Sequence, residues 1–139
     1  MDLPAGKHNR HWARNINTNS DSSKIYIAVG SGLRNPAGMG WAPGTKTLWT
    51  AVNERDGLGD GLVPYYFTSV RHGGFYGWPY TYFGQNEDLR VNETKPLLVK
   101  KTIIPDVNLG SHTASVGLAF YTANSFPEKY QGGVFIAQN

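Results

Sequence analysis

Three short segments of this chain repeat one another, and that repetition constrains the fold more than any other feature. Lys24-Ile25-Tyr26-Ile27-Ala28-Val29, Thr47-Leu48-Trp49-Thr50-Ala51-Val52 and Gly133-Val134-Phe135-Ile136-Ala137-Gln138 each run aliphatic, aromatic, β-branched, alanine. Each follows a polar turn, at 19–23, 43–46 and 127–132. An apolar segment precedes the latter two turns, Met39-Gly40-Trp41 and Gly117-Leu118-Ala119-Phe120-Tyr121. The unit is strand, turn, strand, and the near-continuous apolar character of the second strand predicts cover on both faces. The small alanine predicts close approach of a neighbouring sheet.

Repeated hairpins with small residues at fixed places suggest stacked sheets, as in the blades of a β-propeller. Trp49 and Phe135 stand about two blades of roughly 40–45 residues apart, whereas Tyr26 and Trp49 are separated by about half of one. That short interval implies either a shared strand pair or residues missing near Gly30-Ser31-Gly32. Composition agrees with a turning, stacking chain: 17 glycines and 8 prolines in 139 residues, 13% aromatic and only 17% charged. The chain therefore reads as all-β, its hairpins stacked as in the blades of a β-propeller. Three unrelated hairpins in a sandwich are the bland alternative. Helix signals are weak, the best being a short turn near Tyr65-Tyr66-Phe67-Thr68-Ser69-Val70. The stretch 86–101 is polar and then basic, a surface excursion.

Other classes find little support. Without cysteine there is no disulfide scaffold, thiolate metal site or cysteine nucleophile. The net charge of +3 comes without a clustered basic stripe, which argues against nucleic acid. No run approaches the ~18 apolar residues of a membrane span. The first residues lack the basic and apolar regions of a secretory signal. P-loop and nucleophile-elbow motifs are missing.

Polar residues collect just outside the repeated strands. His11 and Arg14 precede the first, Arg34 and Asn35 the second, and Ser111, His112 and Thr113 the third. Asn53, Glu54, Arg55 and Asp56 follow the middle strand. In a propeller, segments before inner strands gather at one mouth, so His11, Arg34, Asn35 and His112 are expected to converge there. Imidazole supplies a base near neutral pH, and arginine a fixed cation for carboxylates and oxyanions. Each also has an ordinary structural role open to it, as turn starter, loop ion pair or packed histidine.

An ordered set of motifs carries a resemblance. Gly32-Leu33-Arg34-Asn35-Pro36-Ala37-Gly38, Leu48-Trp49-Thr50-Ala51-Val52-Asn53-Glu54-Arg55-Asp56, Gly59-Asp60, Gly74-Phe75-Tyr76-Gly77-Trp78-Pro79-Tyr80, Leu109-Gly110-Ser111-His112-Thr113-Ala114 and Gly117-Leu118-Ala119-Phe120-Tyr121 occur in that order. Together they resemble the glucose/sorbosone dehydrogenase family, near its L-sorbosone branch. The resemblance implies a six-bladed propeller, pyrroloquinoline quinone (PQQ) beside Ca2+ at the channel mouth, and oxidation of an aldose or sorbosone-type sugar with hydride passing to the quinone. It implies His11 as general base, Arg34, Asn35, Asn53, Arg55 and His112 around the cofactor, and Glu54 or Asp56 as calcium ligands. An external electron acceptor and a periplasmic or secreted setting follow from the same likeness. The chain departs from the family at Tyr65, where an acidic residue is usual, and at Glu54-Arg55, where better-known members carry a Gly-Pro backbone site. Against the six blades that the resemblance implies, the chain is short: it is expected to be a partial β-propeller of about two to three blades, a single incomplete domain over 1–139 with an internal join near 30–33, and open blade edges are expected to drive self-association. Two other readings stand beside the enzyme: a non-catalytic propeller remnant, and a sugar- or protein-binding module using the aromatic wall Phe75, Tyr76 and Trp78.

Overall fold

The computed structural model describes residues 16–19, 21–27 and 32–139. Residues 30–31 of the expected join near 30–33 lie outside them, as do His11 and Arg14. In chain order the elements are β1 (Ile16–Thr18), β2 (Ile25–Ile27), β3 (Asn35–Trp41), β4 (Leu48–Asn53), β5 (Pro64–Ser69), β6 (Thr81–Tyr82), β7 (Asn86–Glu87), a single-turn helix α1 (Pro96–Val99), β8 (Val107–Ser111), β9 (Ser115–Phe120) and β10 (Val134–Gln138).

β3, β4, β5 and β8 form one antiparallel four-stranded sheet in that order, a complete blade. β1–β2 and β9–β10 are antiparallel hairpins. The β1–β2 hairpin meets the near side of the blade: Tyr26 stands edge-on to Trp41 at 5.1 Å, and Asn17 Nδ2 donates to Met39 O. The β9–β10 hairpin covers the far side. The architecture is therefore an all-β partial propeller, one full blade with a hairpin at each face.

The core sits where the complete blade is covered twice. Ala51, Val52, Val63 and Tyr66 have no exposed surface. As the sequence predicts, β4 is enclosed on both faces. The close approach, however, is made next door, on β3. A Cβ at Gly38 would stand 3.0 Å from Leu118 N, and one at Gly40 2.8 Å from the Leu118 side chain. Only glycine admits the β9 backbone so near. Trp49 stacks on Phe67 at 4.7 Å, and Phe67 in turn meets Phe120 of the next hairpin.

One local expectation is corrected. Residues 65–69 are not a helical turn but belong to β5, hydrogen-bonded between β4 and β8. Tyr65, Tyr66, Phe67 and Thr68 are all buried there. Aromatic and β-branched side chains suit a pleated, two-sided interior, and that burial outweighs local turn preference. Helix forms instead at α1, inside the polar excursion that joins β5 to β8.

Candidate functional site

One end of the sheet gathers the polar residues. Asn35 begins β3 opposite Asn53 at the end of β4, and Pro64 begins β5 opposite Ser111 at the end of β8. Ser115, the first residue of β9, joins them through Asn53: Nδ2 donates to Ser115 O at 2.8 Å, and Ser115 N donates to Oδ1 at 2.9 Å. The Asn53 amide thus acts as a short piece of strand linking the blade to the next hairpin. Arg34 is held beside it, donating from Nη1 to Glu54 O at 2.5 Å and Asn53 O at 3.3 Å.

Several buried polar atoms here have no hydrogen-bond partner among the described residues: Arg34 Nε, Asn35 Oδ1, Glu54 Oε1, Thr113 Oγ1 and Ser115 Oγ. Buried polar groups are ordinarily paired, because an unpaired one costs about 1–3 kcal/mol. Five such atoms, at this end of the blade and in the adjoining β8–β9 loop and start of β9, leave hydrogen-bonding capacity unfilled. Burial shifts the charges there. Desolvation lowers the Arg34 pKa against the attraction of Glu54 and Asp56. Desolvation raises the Glu54 carboxyl against the attraction of Arg55.

The connection from β8 to β9 closes this end. His112 and Ala114 both adopt left-handed backbone, with φ of 57° and 42°, unusual for residues other than glycine. The loop is pinned where it strains. Ser111 Oγ donates to Gly61 O, His112 Nε2 lies 3.3 Å from Gly59 O, and His112 Nδ1 lies 3.3 Å from Asp56 Oδ1. Tyr65 packs edge-on to the His112 ring. Its phenol is raised by desolvation and by the Asp56 carboxylate.

Behind this end lies an ionic network centred on Arg55. Arg55 donates to Glu54 Oε2 (3.1 Å), Asp88 Oδ2 (2.9 Å), Pro79 O (2.8 Å) and Thr81 O (2.6 Å). Its guanidinium also lies over Trp78, 4.7 Å from the ring centroid. Arg90 clamps Asp88 from the other side and donates to Asp56 O. These hydrogen bonds, Arg90 first, hold the Asp88 carboxyl well below the usual range.

The expected site residues therefore separate. Arg34, Asn35, Asn53 and one oxygen of Glu54 come together. Asp56, largely exposed, pairs with His112 beside them. Arg55 turns away toward the excursion between β5 and β8, where it bonds Pro79 O, Thr81 O and Asp88. His11 lies outside the described residues. The aromatic wall also divides: Tyr76 is buried, its hydroxyl donating to Ser69 O and accepting from Arg71 N, and Trp78 lies against the Arg55 cation. Sequence reading gave no role to Ser115 as the partner of Asn53, nor to Asp88 and Arg90 as the clamp on Arg55. No local motif marks these pairings, which join residues far apart in the chain. No group of three or more His, Asp or Glu side chains assembles a metal cage among the described residues.

The blade and its flanking hairpins define an all-β, propeller-type chain whose polar residues gather at one end of the sheet. The comparisons narrow it: the glucose/sorbosone dehydrogenase family matches residues 4–138, and the chain belongs to that family. It is similar to an uncharacterised protein of Borreliella burgdorferi, 26% identical over 99% of this chain and 44% of that protein. It is also similar to aldose sugar dehydrogenase YliI of Escherichia coli, 32% identical over 76% of this chain and 27% of that protein. The chain thus spans less than half the length of either relative. Among the described residues no helix is long and apolar enough to cross a membrane.

Proposed function

We propose that this chain carries the cofactor-holding side of a PQQ-dependent sugar dehydrogenase, acting on an aldose or sorbosone-type sugar. The observation that carries this reading is the group of unpartnered buried atoms around Arg34 and Asn35. An anionic, carboxylate-bearing quinone fits that group. Arg34 would meet a carboxylate or quinone oxygen with Nε while Nη1 stays anchored on the Asn53 and Glu54 carbonyls. Asn35 Oδ1 would accept from a ring N–H. When bound, PQQ supplies the two-electron acceptor for the hydrogen leaving the sugar carbon.

The chain's own residues do the rest. His11, by family resemblance, takes the sugar hydroxyl proton. Arg34 orients the anionic group and opposes growth of negative charge on it. His112 and Tyr65 line the rim, and the pinned 111–115 loop keeps the rim in place. Calcium fits less well. Glu54 is paired to Arg55 and Asp56 to His112, and Glu54 Oε1 alone among these carboxylate oxygens is buried without a partner. An external acceptor would reoxidise the cofactor, and a periplasmic or secreted setting suits such chemistry.

The test is a titration of the purified chain with PQQ, with and without Ca2+, followed by dye-linked oxidation of sugars. Saturable binding that weakens in Arg34→Ala, with turnover lost in His11→Ala, supports the reading. A folded chain that binds no PQQ overturns it and leaves a propeller remnant.

A further inference from the structure

We propose that Asn53 is a positioning residue for the cofactor end: its side chain does not touch the cofactor but fixes the strand end that aims the Arg34 guanidinium. For its ligand this rests on the cofactor reading; its geometry rests on contacts within the chain.

Arg34 stands one residue before β3, and Asn53 is the last residue of β4. The ladder between the two strands stops at the Asn35–Asn53 pair. The carbonyls that hold Arg34 Nη1, those of Asn53 and Glu54, therefore lie at the last rung and just beyond it. Backbone at such an end opens most readily unless something outside the ladder secures it. Glu54 is secured by Arg55, whose backbone N–H and Nε both donate to its Oε2. Asn53 is secured by its own side chain. Its Nδ2 donates to Ser115 O at 2.8 Å, and its Oδ1 accepts from Ser115 N at 2.9 Å. The amide is thus committed to the backbone of the next hairpin, 62 residues along the chain.

This pairing matters for Arg34 because a guanidinium is a planar, rigid fork. Once Nη1 is set on two carbonyls, the direction of Nε–H is set with it. Trp78 limits the remaining freedom, its ring centroid lying 5.8 Å from the Arg34 guanidinium carbon. Nε–H is the buried donor that has no partner among the described residues. A strand end that drifts turns that donor away from an anionic group. Asn53 therefore acts on binding through Arg34 and not by contact. The resemblance groups Asn53 with Arg34 and Asn35 around the cofactor, and its contacts give it a different task from theirs.

Two measurements test this. The first needs no cofactor. In isotope-labelled protein, the Arg34 Nε–H resonance is identified by its loss in Arg34→Ala. It should exchange with solvent about tenfold faster in Asn53→Ala than in the unaltered chain. The second is a double-mutant cycle on PQQ affinity, read by equilibrium binding. Asn53→Ala should weaken PQQ about tenfold in the unaltered chain and less than about twofold in an Arg34→Ala background. Circular dichroism checks that each variant is folded. Asn53→Ser, whose hydroxyl can reach Ser115 through a water, replaces the alanine variant if that one does not fold. Equal weakening in both backgrounds would make Asn53 a direct contact and overturn the proposal. So would unchanged PQQ affinity, or unchanged Nε–H exchange, in Asn53→Ala. A chain that binds no PQQ defeats the cofactor reading, and the exchange measurement alone then decides whether Asn53 aims Arg34.

Discussion

Arg34 and Arg55 flank the β3–β4 hairpin at its open end, and the fold treats them in opposite ways. Arg55 is enclosed by two carboxylates, two carbonyls and an aromatic face. Arg34 is anchored by one nitrogen on two carbonyls, and its Nε is left buried and empty. Saturation makes a cation structural. An unfilled donor, kept out of water at a cost, makes it available. The difference separates residues that hold this end of the blade from residues that can hold something else.

The largest test of that contrast is Arg55→Met. It strands Glu54 and Asp88 without their shared partner, and should cost about 3–5 kcal/mol in urea denaturation. A loss below about 1 kcal/mol would break the distinction. Asp88→Asn comes next, at about 2–3 kcal/mol near neutral pH, since a charged hydrogen-bond acceptor is lost. It also carries a pH signature. The Asp88 carboxyl sits below its ordinary value of 3.8 in the folded chain, so its contribution is present above that value and drains away as pH falls beneath it. The Asn variant should show a flatter stability profile in that acidic window. Glu54 has the opposite sign: its raised value makes it favour folding below its ordinary 4.5, an advantage lost as pH rises through the folded value.

Arg34→Ala should cost only about 1–2 kcal/mol of stability yet weaken PQQ binding roughly tenfold to a hundredfold. Equal effects on both would erase the contrast. The smallest expected change is Ser115→Ala. Its buried Oγ has no described partner, so removing it should leave thermal stability unchanged or raise it by up to about 1 kcal/mol. A gain would identify that hydroxyl as capacity held at the expense of the fold.

Much of this was legible in the chain before its coordinates. The repeated aliphatic–aromatic–branched–Ala segments located β2, β4 and β10, and the apolar runs before the turns located β3 and β9. Those signals are local and periodic. The order of motifs brought Arg34, Asn35 and Asn53 to one end. What escaped was of two kinds. The Tyr65–Thr68 stretch has no alternation because both faces are buried, so its strand character comes only from its neighbours. The fate of Arg55 depends on Asp88, Pro79 and Thr81, whose placement is set by the excursion beyond β5. Whether a cation is spent or free is a property of the packed network, and the local run Asn53-Glu54-Arg55-Asp56 does not carry it.

That excursion also has a consequence for the order in which the blade assembles. β3, β4 and β5 are joined by short connections, but β8 returns to the edge of β5 only after the whole stretch from 70 to 106. Closing so long a loop delays the reward of pairing, which makes the outer strand a late arrival. Asp106 receives it, accepting from Thr68 Oγ1 and from both the amide and hydroxyl of Ser69. Amide hydrogen exchange should therefore find Val107–Ser111 the quickest strand of the blade to open, while the three inner strands protect one another. The blade would then peel from its rim inward, and the end that holds Arg34 and Asn35, tied to the inner strands through Asn53, would be the last part to come apart.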